Sequence, residues 1–332
     1  MVAACLLLAA FAWDDARPEA DPTGDGPVKA AVEKSIPYLQ EDSVAWIRDR
    51  KCATCHHAPM AIWSLAEAKG RGFAVDQAAL DELTTYTLGK PVDSKVLPDP
   101  AKPAAPGSSG FSLASAYAAA ASRPLGKIEG AAAEGRSQLV EHLVANQAED
   151  GSWPSTLTRP PISDGPEVTT LWAALALEAA SGEPGGDTVG NGRRKADAWL
   201  AKTPVGESQQ ALALRLLLKA RSGASPESLE AEIRRILDRQ EPEGGWGQEG
   251  DLPADAYATG LTLYALGAAG LGADRPEVRK AREFLCKTQN EDGTWTMASR
   301  AWSGGAPAKD LEPITFAGTA WATLGLLQTL PR

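Results

Sequence analysis

Among 332 residues there are only four cysteines, three histidines and three methionines, so few side chains can hold a metal or carry redox chemistry. Cys5, Cys52, Cys55 and Cys286 are too few and too unevenly spaced for a disulfide-stapled scaffold. Basic residues are also short: 33 Lys plus Arg face 43 Asp plus Glu, for a net charge of -10. A nucleic-acid binder needs a basic footprint, which excludes that class of partner. Beyond residue 12, Gly, Pro or a charged side chain breaks every apolar run well before the ~20 residues needed to cross a bilayer. What remains is a globular composition, 43% hydrophobic, able to bury a large core.

Met1 to Ala12 (MVAACLLLAAFA) is a short apolar run ending in Ala10-Phe11-Ala12, an A-x-A pattern, followed by an acidic, Pro-containing stretch. That order reads as a secretory leader over residues 1–12 and a disordered linker over 13–27, ahead of one folded unit over 28–330. The expectation is an exported protein, periplasmic or otherwise extracytoplasmic, with no transmembrane span once mature.

A repeat organises the rest. Gln147-x3-Gly151-x-Trp153, Gln240-x3-Gly244-x-Trp246 and Gln289-x3-Gly293-x-Trp295 share one pattern, against roughly 0.03 copies that this composition would scatter by chance. The intervals are 93 and 49 residues, so the longer one spans two periods with a degraded copy between, where Ala198 to Thr203 resembles Glu283 to Thr288. Each signature follows a charged amphipathic stretch and precedes an Ala-rich, nearly uncharged one, the alternation of an exposed and a buried helix. This predicts exposed helices near 28–40, 76–88, 129–147, 192–203, 226–240 and 276–289. Buried ones are expected near 58–69, 111–122, 167–181, 207–221, 254–269 and 314–329. Pro59, Pro226 and Pro276 stand where first turns should be, and Gly182, Gly223 and Gly270 where helices should stop. The buried set is small-sided, as in LWAALALEAA and AYATGLTLYALGAAG, so backbones can approach closely around an inner ring.

These signatures resemble the repeats of the squalene cyclase, oxidosqualene cyclase and protein prenyltransferase β-subunit superfamily. The resemblance implies an all-α fold, an α/α toroid (α6/α6 barrel) of six helical hairpins, with Gln147, Trp153, Gln240, Trp246, Gln289 and Trp295 as structural braces. It also raises the alternative of an isoprenoid or other hydrophobic ligand bound or transformed in the barrel. The superfamily's catalytic devices do not carry over. No Asp-x-Asp-Asp run follows the leader, and the only histidines, His56, His57 and His142, do not reproduce the prenyltransferase zinc set. Asp255 is the nearest isolated acid, and an N-terminal helix carboxylate favoured by the dipole explains it as well.

The chemical motif lies elsewhere. Cys52-Ala53-Thr54-Cys55-His56 is the C-x-x-C-H pattern of covalent haem c attachment, in which the two thiols form thioethers and the imidazole ligates iron. Attachment needs export, which the leader independently suggests. Zinc is a poor alternative, because Cys52, Cys55, His56 and His57 are crowded into six residues and their side chains diverge. A plain dithiol, on a structural toroid that binds another protein through its rim, is the remaining alternative. The motif falls in the first connection from an exposed to a buried helix, where later hairpins carry the Gln-Gly-Trp signature, so haem is expected at one rim. Met60, one turn from His56, shares its side of the haem. Met297, just after Trp295, is the sulfur that ring closure would bring across as sixth ligand, which would favour electron transfer with a redox partner protein. Trp46 and Trp63 flank the motif and either wall the haem or pack the core. His142 belongs on an exposed helix.

Overall fold

The computed structural model describes residues 24–50, 57–89, 109–155, 160–181, 186–300 and 306–331. Local signals start its helices. The side chains of Asp76, Ser208, Ser225 and Asp255 each accept a hydrogen bond from a first-turn amide, and Pro226 and Pro276 open their helices where no amide is needed. The elements are α1 Asp25–Asp49, α2 Ala58–Gly70, α3 Gln77–Leu88, α4 Ser109–Ala121, α5 Gly130–Ala145, α6 Gly165–Ala179, α7 Gly186–Lys202, α8 Gln209–Arg221, α9 Pro226–Leu237, α10 Ala256–Ala268, α11 Pro276–Thr288 and α12 Glu312–Thr329. No strand occurs among the described residues.

Even-numbered helices are buried on nearly every side and odd-numbered ones along a single stripe; α10 buries every residue from Ala256 to Leu266, whereas α9 buries only Leu229 and Ile236. The even helices pack in the cyclic order α2, α4, α6, α8, α10, α12 and back to α2, with the odd helices outside them. The protein is therefore an all-α toroid of six hairpins. Between α10 and α12 the small-residue expectation reaches its limit. A Cβ on Gly260 would fall within the backbone of Trp321 and Ala322, and one on Gly325 within that of Gly260, so the two helices cross backbone on backbone.

The three signatures make one network each, with the same atoms. The carboxamide of Gln147 donates to Gly151 O (2.9 Å) and to Gly192 O on α7 (2.8 Å); that of Gln240 to Gly244 O and to Glu277 O on α11 (both 2.7 Å). Gln289 donates to Gly293 O (3.1 Å) and to Ala31 O on α1 (2.8 Å), which closes the ring. The indoles of Trp153, Trp246 and Trp295 donate to carbonyls at the end of the preceding outer helix, Leu143, Ile236 and Leu285, at 2.8–2.9 Å. Their own amides donate to Thr170, Thr259 and Thr319 on the following inner helix. The glycines have φ of 97°, 100° and 86°, and a Cβ on any of them would enter the backbone of Lys195, Lys280 or Lys34 on the next outer helix. Where the degraded copy falls, an ion pair substitutes: Glu167 on α6 accepts from Gly206 N (2.8 Å) and from Arg215 on α8 (2.5 Å), while Arg215 also binds Leu200 O and Thr203 O.

Two helices depart from the sequence reading at their boundaries. Helix α1 begins at Asp25, inside the expected linker, and runs on to Asp49 instead of ending near residue 40, with Pro37 within it. Its Glu41-Asp42-Ser43 segment reads as a polar stop, but Ser43 turns its hydroxyl back to Leu39 O and the next turn buries Ile47 against the ring. Helix α7 starts at Gly186 because Gly190 and Gly192, which look like loop residues, lie in the helix, with Gly192 facing Leu177 and Gln147. The leader, residues 13–23 of the linker and residues 97–108 of the Pro-rich stretch lie outside the described residues.

Two outcomes are expected. Trp246→Ala and Trp295→Ala each remove a fully buried indole and should lower the unfolding free energy by about 3–5 kcal/mol, readable by urea denaturation. Gly293 and Gly72 share φ 86°, but a Cβ on Gly72 meets nothing within 4 Å. Gly72→Ala should therefore show only the left-handed backbone penalty of about 1–2 kcal/mol, and Gly293→Ala distinctly more, because it also pushes the sixth hairpin off α1.

Candidate functional site

The outer helices finish, and the inner helices present their amino termini, at one end of the toroid. Cys52, Cys55 and His56 themselves lie outside the described residues, between Arg50, which caps α1, and His57, which caps α2. Pro59 is in the first turn of α2, as the sequence indicates.

His57 is fully buried. Its ring is clamped between Trp46 of α1 (centroids 3.7 Å, 14° between planes) and Phe316 of α12 (4.3 Å, 22°). Its Nε2 faces the carboxylate of Asp42 at 3.1 Å. Burial, aided by the charge of Arg50, pushes the imidazole down to about 3, so it is neutral. Burial likewise raises the Asp42 carboxyl to about 6. Glu312, in the first turn of α12, is raised by its own burial and then by repulsion from Asp42 and Asp310, against the pull of Arg50 3.7 Å away. Sequence reasoning missed Asp42, which meets His57 only when the first hairpin folds, and Glu312 and Phe316 of α12, which meet it only when the ring closes.

Met297 is buried with its sulfur in the notch over Gly318 of α12, two residues beyond Phe316. The contact is with the inner helix of its own, sixth hairpin. Met60 is buried in the first turn of α2. Trp46 and Trp63 part company: Trp46 stays at the rim, partly buried, with Arg50 over its ring, while Trp63 lies in the centre of the toroid. His142 is buried on the inner face of α5 and its imidazole is lowered by burial, so it is less exposed than its helix suggests.

Among the described residues, one layer of the barrel axis is filled. Trp63, Trp172 and Trp321 stand 5.7–6.1 Å apart and are joined by Tyr117, Tyr257 and Tyr264, with no ring more than 2% exposed. Surfaces this closed border no water-sized void, so this layer leaves no room for a ligand. Beneath it, Tyr264 accepts from Trp63 Nε1 and Arg221 (both 3.0 Å) and donates to Glu67 (2.7 Å), while Arg221 lies 5.1 Å over the face of Trp63. These bonds satisfy the polar edges on the Trp63–Tyr264 side of the plug, whereas the buried indole nitrogen of Trp172 has no hydrogen-bond partner.

Asp255 caps α10. It accepts from Ala258 N (2.8 Å) and Gln248 Nε2 (2.7 Å), and Arg300 holds the other end of the Gln248 amide. Burial outweighs these bonds and raises the carboxyl to about 6.

With this geometry, the relatives of the chain can be placed. Residues 204–330 match the squalene-hopene cyclase C-terminal domain. The squalene–hopene cyclase of Bradyrhizobium diazoefficiens is 35% identical over 95 residues, 29% of this chain and 14% of that protein. The cycloartenol synthase of Dictyostelium discoideum is 37% identical over 101 residues, 27% of this chain and 14% of that one. The chain thus spans about one seventh of these curated relatives. Among solved structures, a protein from Actinoplanes superposes with a TM-score of 0.59 at 16% identity, covering 91% of this chain and 99% of that one. The type II terpene cyclase MstE from Scytonema gives 0.56 at 13%, covering 91% and 98%. An unsaturated glucuronyl hydrolase from Streptococcus agalactiae gives 0.57 at 11%, covering 92% and 90%. At these identities the structures show the fold alone, and that fold serves a terpene cyclase and a glucuronyl hydrolase alike. Residues 204–330 are cyclase-like in sequence, and the described chain shares the α/α-toroid fold of all three structures.

Asp255 yields a test of this geometry. Its carboxyl binds a proton more tightly folded than unfolded, where it stands near 3.8. Its contribution to stability is therefore complete below that value and is lost as pH rises through about 6. Asn caps a helix as well and does not titrate. Asp255→Asn should gain stability relative to the parent as pH rises from about 4 to about 7, measured by urea unfolding across that range; a difference that does not change with pH would refute the burial argument.

Proposed function

We propose that this chain is a cyclase-like toroid used as a rigid mount for one covalent haem c, and that it moves single electrons to or from a partner protein outside the cytoplasm. The observation that carries the reading is the rim: two thiols and an imidazole, Cys52, Cys55 and His56, run directly into a helix whose first residues are locked in the core. The donor set fits the group. His57 is held by Trp46, Phe316 and Asp42, which leaves His56 as the imidazole for iron on this reading. A bound haem would supply one-electron oxidation and reduction. Met297, buried against Gly318 of α12, is the methionine sulfur that would serve as a further iron ligand on this reading. The filled layer of the axis and the absence of an Asp-x-Asp-Asp acid in the matched region speak against cyclisation.

A second reading has its own support. The match over residues 204–330 and a buried carboxyl at Asp255 that keeps its proton to about pH 6 favour a toroid that binds or transforms an isoprenoid. A neighbour, MstE, has been solved with geranylgeranyl dihydroxybenzoate. For this chain such a ligand would have to enter above the aromatic plug.

One experiment separates them. Protein matured with haem-attachment machinery should keep its haem through acid acetone and give a pyridine haemochrome, and Cys52→Ala/Cys55→Ala should be colourless. Met297→Ala should remove the sulfur-to-iron charge-transfer band, and Met60→Ala should not. A colourless parent that retains a geranylgeranyl lipid would decide for the second reading.

A further inference from the structure

Asp42 on α1, His57 at the start of α2 and Glu312 in the first turn of α12 each bring one ligand atom to within 4.8 Å of the others. The imidazole is fully buried and clamped on both faces, so Nε2 has one direction to point, toward Asp42 at 3.1 Å. Bonds of about 2.0–2.2 Å to one ion, at tetrahedral or octahedral angles, hold neighbouring donors ~3.0–3.5 Å apart. The His57–Asp42 pair already has that spacing. Glu312 is 41% exposed on its side chain and can close the remaining distance by rotation.

Charge points the same way. Asp42 and Glu312 repel each other, and Asp310 adds to the repulsion. The opposing cation is Arg50, which is 57% exposed and reaches Glu312 only at 3.7 Å. An imidazole and two carboxylates form a mixed nitrogen and oxygen set suited to a divalent first-row ion such as manganese, iron or zinc.

We propose that Asp42, His57 and Glu312 bind a divalent transition-metal ion that clips the ring shut. Two ligands come from the first hairpin and one from the last, so the ion spans the seam that Gln289 and Gly293 close from the outer side. The site uses neither Cys52, Cys55 nor His56 and stands independently of the haem reading. An ion bound only by the closed ring stabilises it by mass action.

The test uses Mn²⁺ on the full chain, because manganese is a poor partner for thiolates and Cys52 and Cys55 do not compete. Electron paramagnetic resonance of the free ion should show one Mn²⁺ taken up per chain, and the melting temperature should rise with Mn²⁺ relative to chelator. Glu312→Gln, an exposed change that leaves the fold intact, should weaken binding at least about tenfold and remove the melting shift; Asp42→Asn should abolish binding. A parent that takes up no Mn²⁺, a Glu312→Gln variant that binds as tightly as the parent, or binding with no rise in melting temperature would each overturn the proposal.

Discussion

The structure depends on a side-chain amide that donates twice. In each signature the glutamine carboxamide gives one proton to the carbonyl of its own loop glycine and the other to a carbonyl on the next outer helix. Both acceptors are backbone groups at half-buried positions, where an unmet carbonyl is unfavourable by ~1–3 kcal/mol. One side chain thus fixes the loop and the angle to the next hairpin together. The glycine must lack a side chain because the next helix passes where a Cβ would stand. Packing of Ala-rich inner helices supplies the bulk of the driving force, but it is non-directional; the amide bridges set the rotation per hairpin that lets six hairpins close.

Closure has a chemical effect inside. Six inner helices drawn tight by small residues leave a narrow axis, and three indoles with three phenols fill it. Each polar edge on the Trp63–Tyr264–Arg221 side has a partner, so the plug is compatible with burial. Chemistry is displaced to the rim. There the inner helices begin, loops of different length connect, and His57, Asp42, Glu312, Met297 and Asp255 are found.

Much of this was legible in the sequence, for physical reasons. Signatures repeated at fixed intervals named the hairpins, and Ala-rich against charged stretches separated inner from outer helices to within a few residues. Where the reading slipped, local composition hid tertiary demand: Glu41-Asp42-Ser43 looks like a helix end, yet α1 continues because Ile47 is buried by the ring. The site was legible only where it is local. Cys52, Cys55 and His56 are marked by spacing alone and lie outside the described residues, and Asp255 is read correctly as a carboxylate at a helix amino terminus. The group around His57 joins residues from both ends of the chain, more than 250 apart, and nothing in either neighbourhood marks them. The central indoles were legible as core, but not as a plug.

The receiving half of every bridge is a main-chain carbonyl: Gly192, Glu277 and Ala31 are used for their backbone oxygen, whatever their side chains. A helix that receives a bridge therefore carries almost no sequence memory of doing so. A signature can decay in one hairpin without forcing a compensating change in the next, provided some other group takes over the angle. The fourth hairpin preserves such a succession, with Glu167 and Arg215 tying α6 and α8 to the end of α7 where the signature has decayed. Toroids built on this bond can diverge one hairpin at a time, which leaves each rim loop free to acquire its own chemistry while the ring around it stays closed.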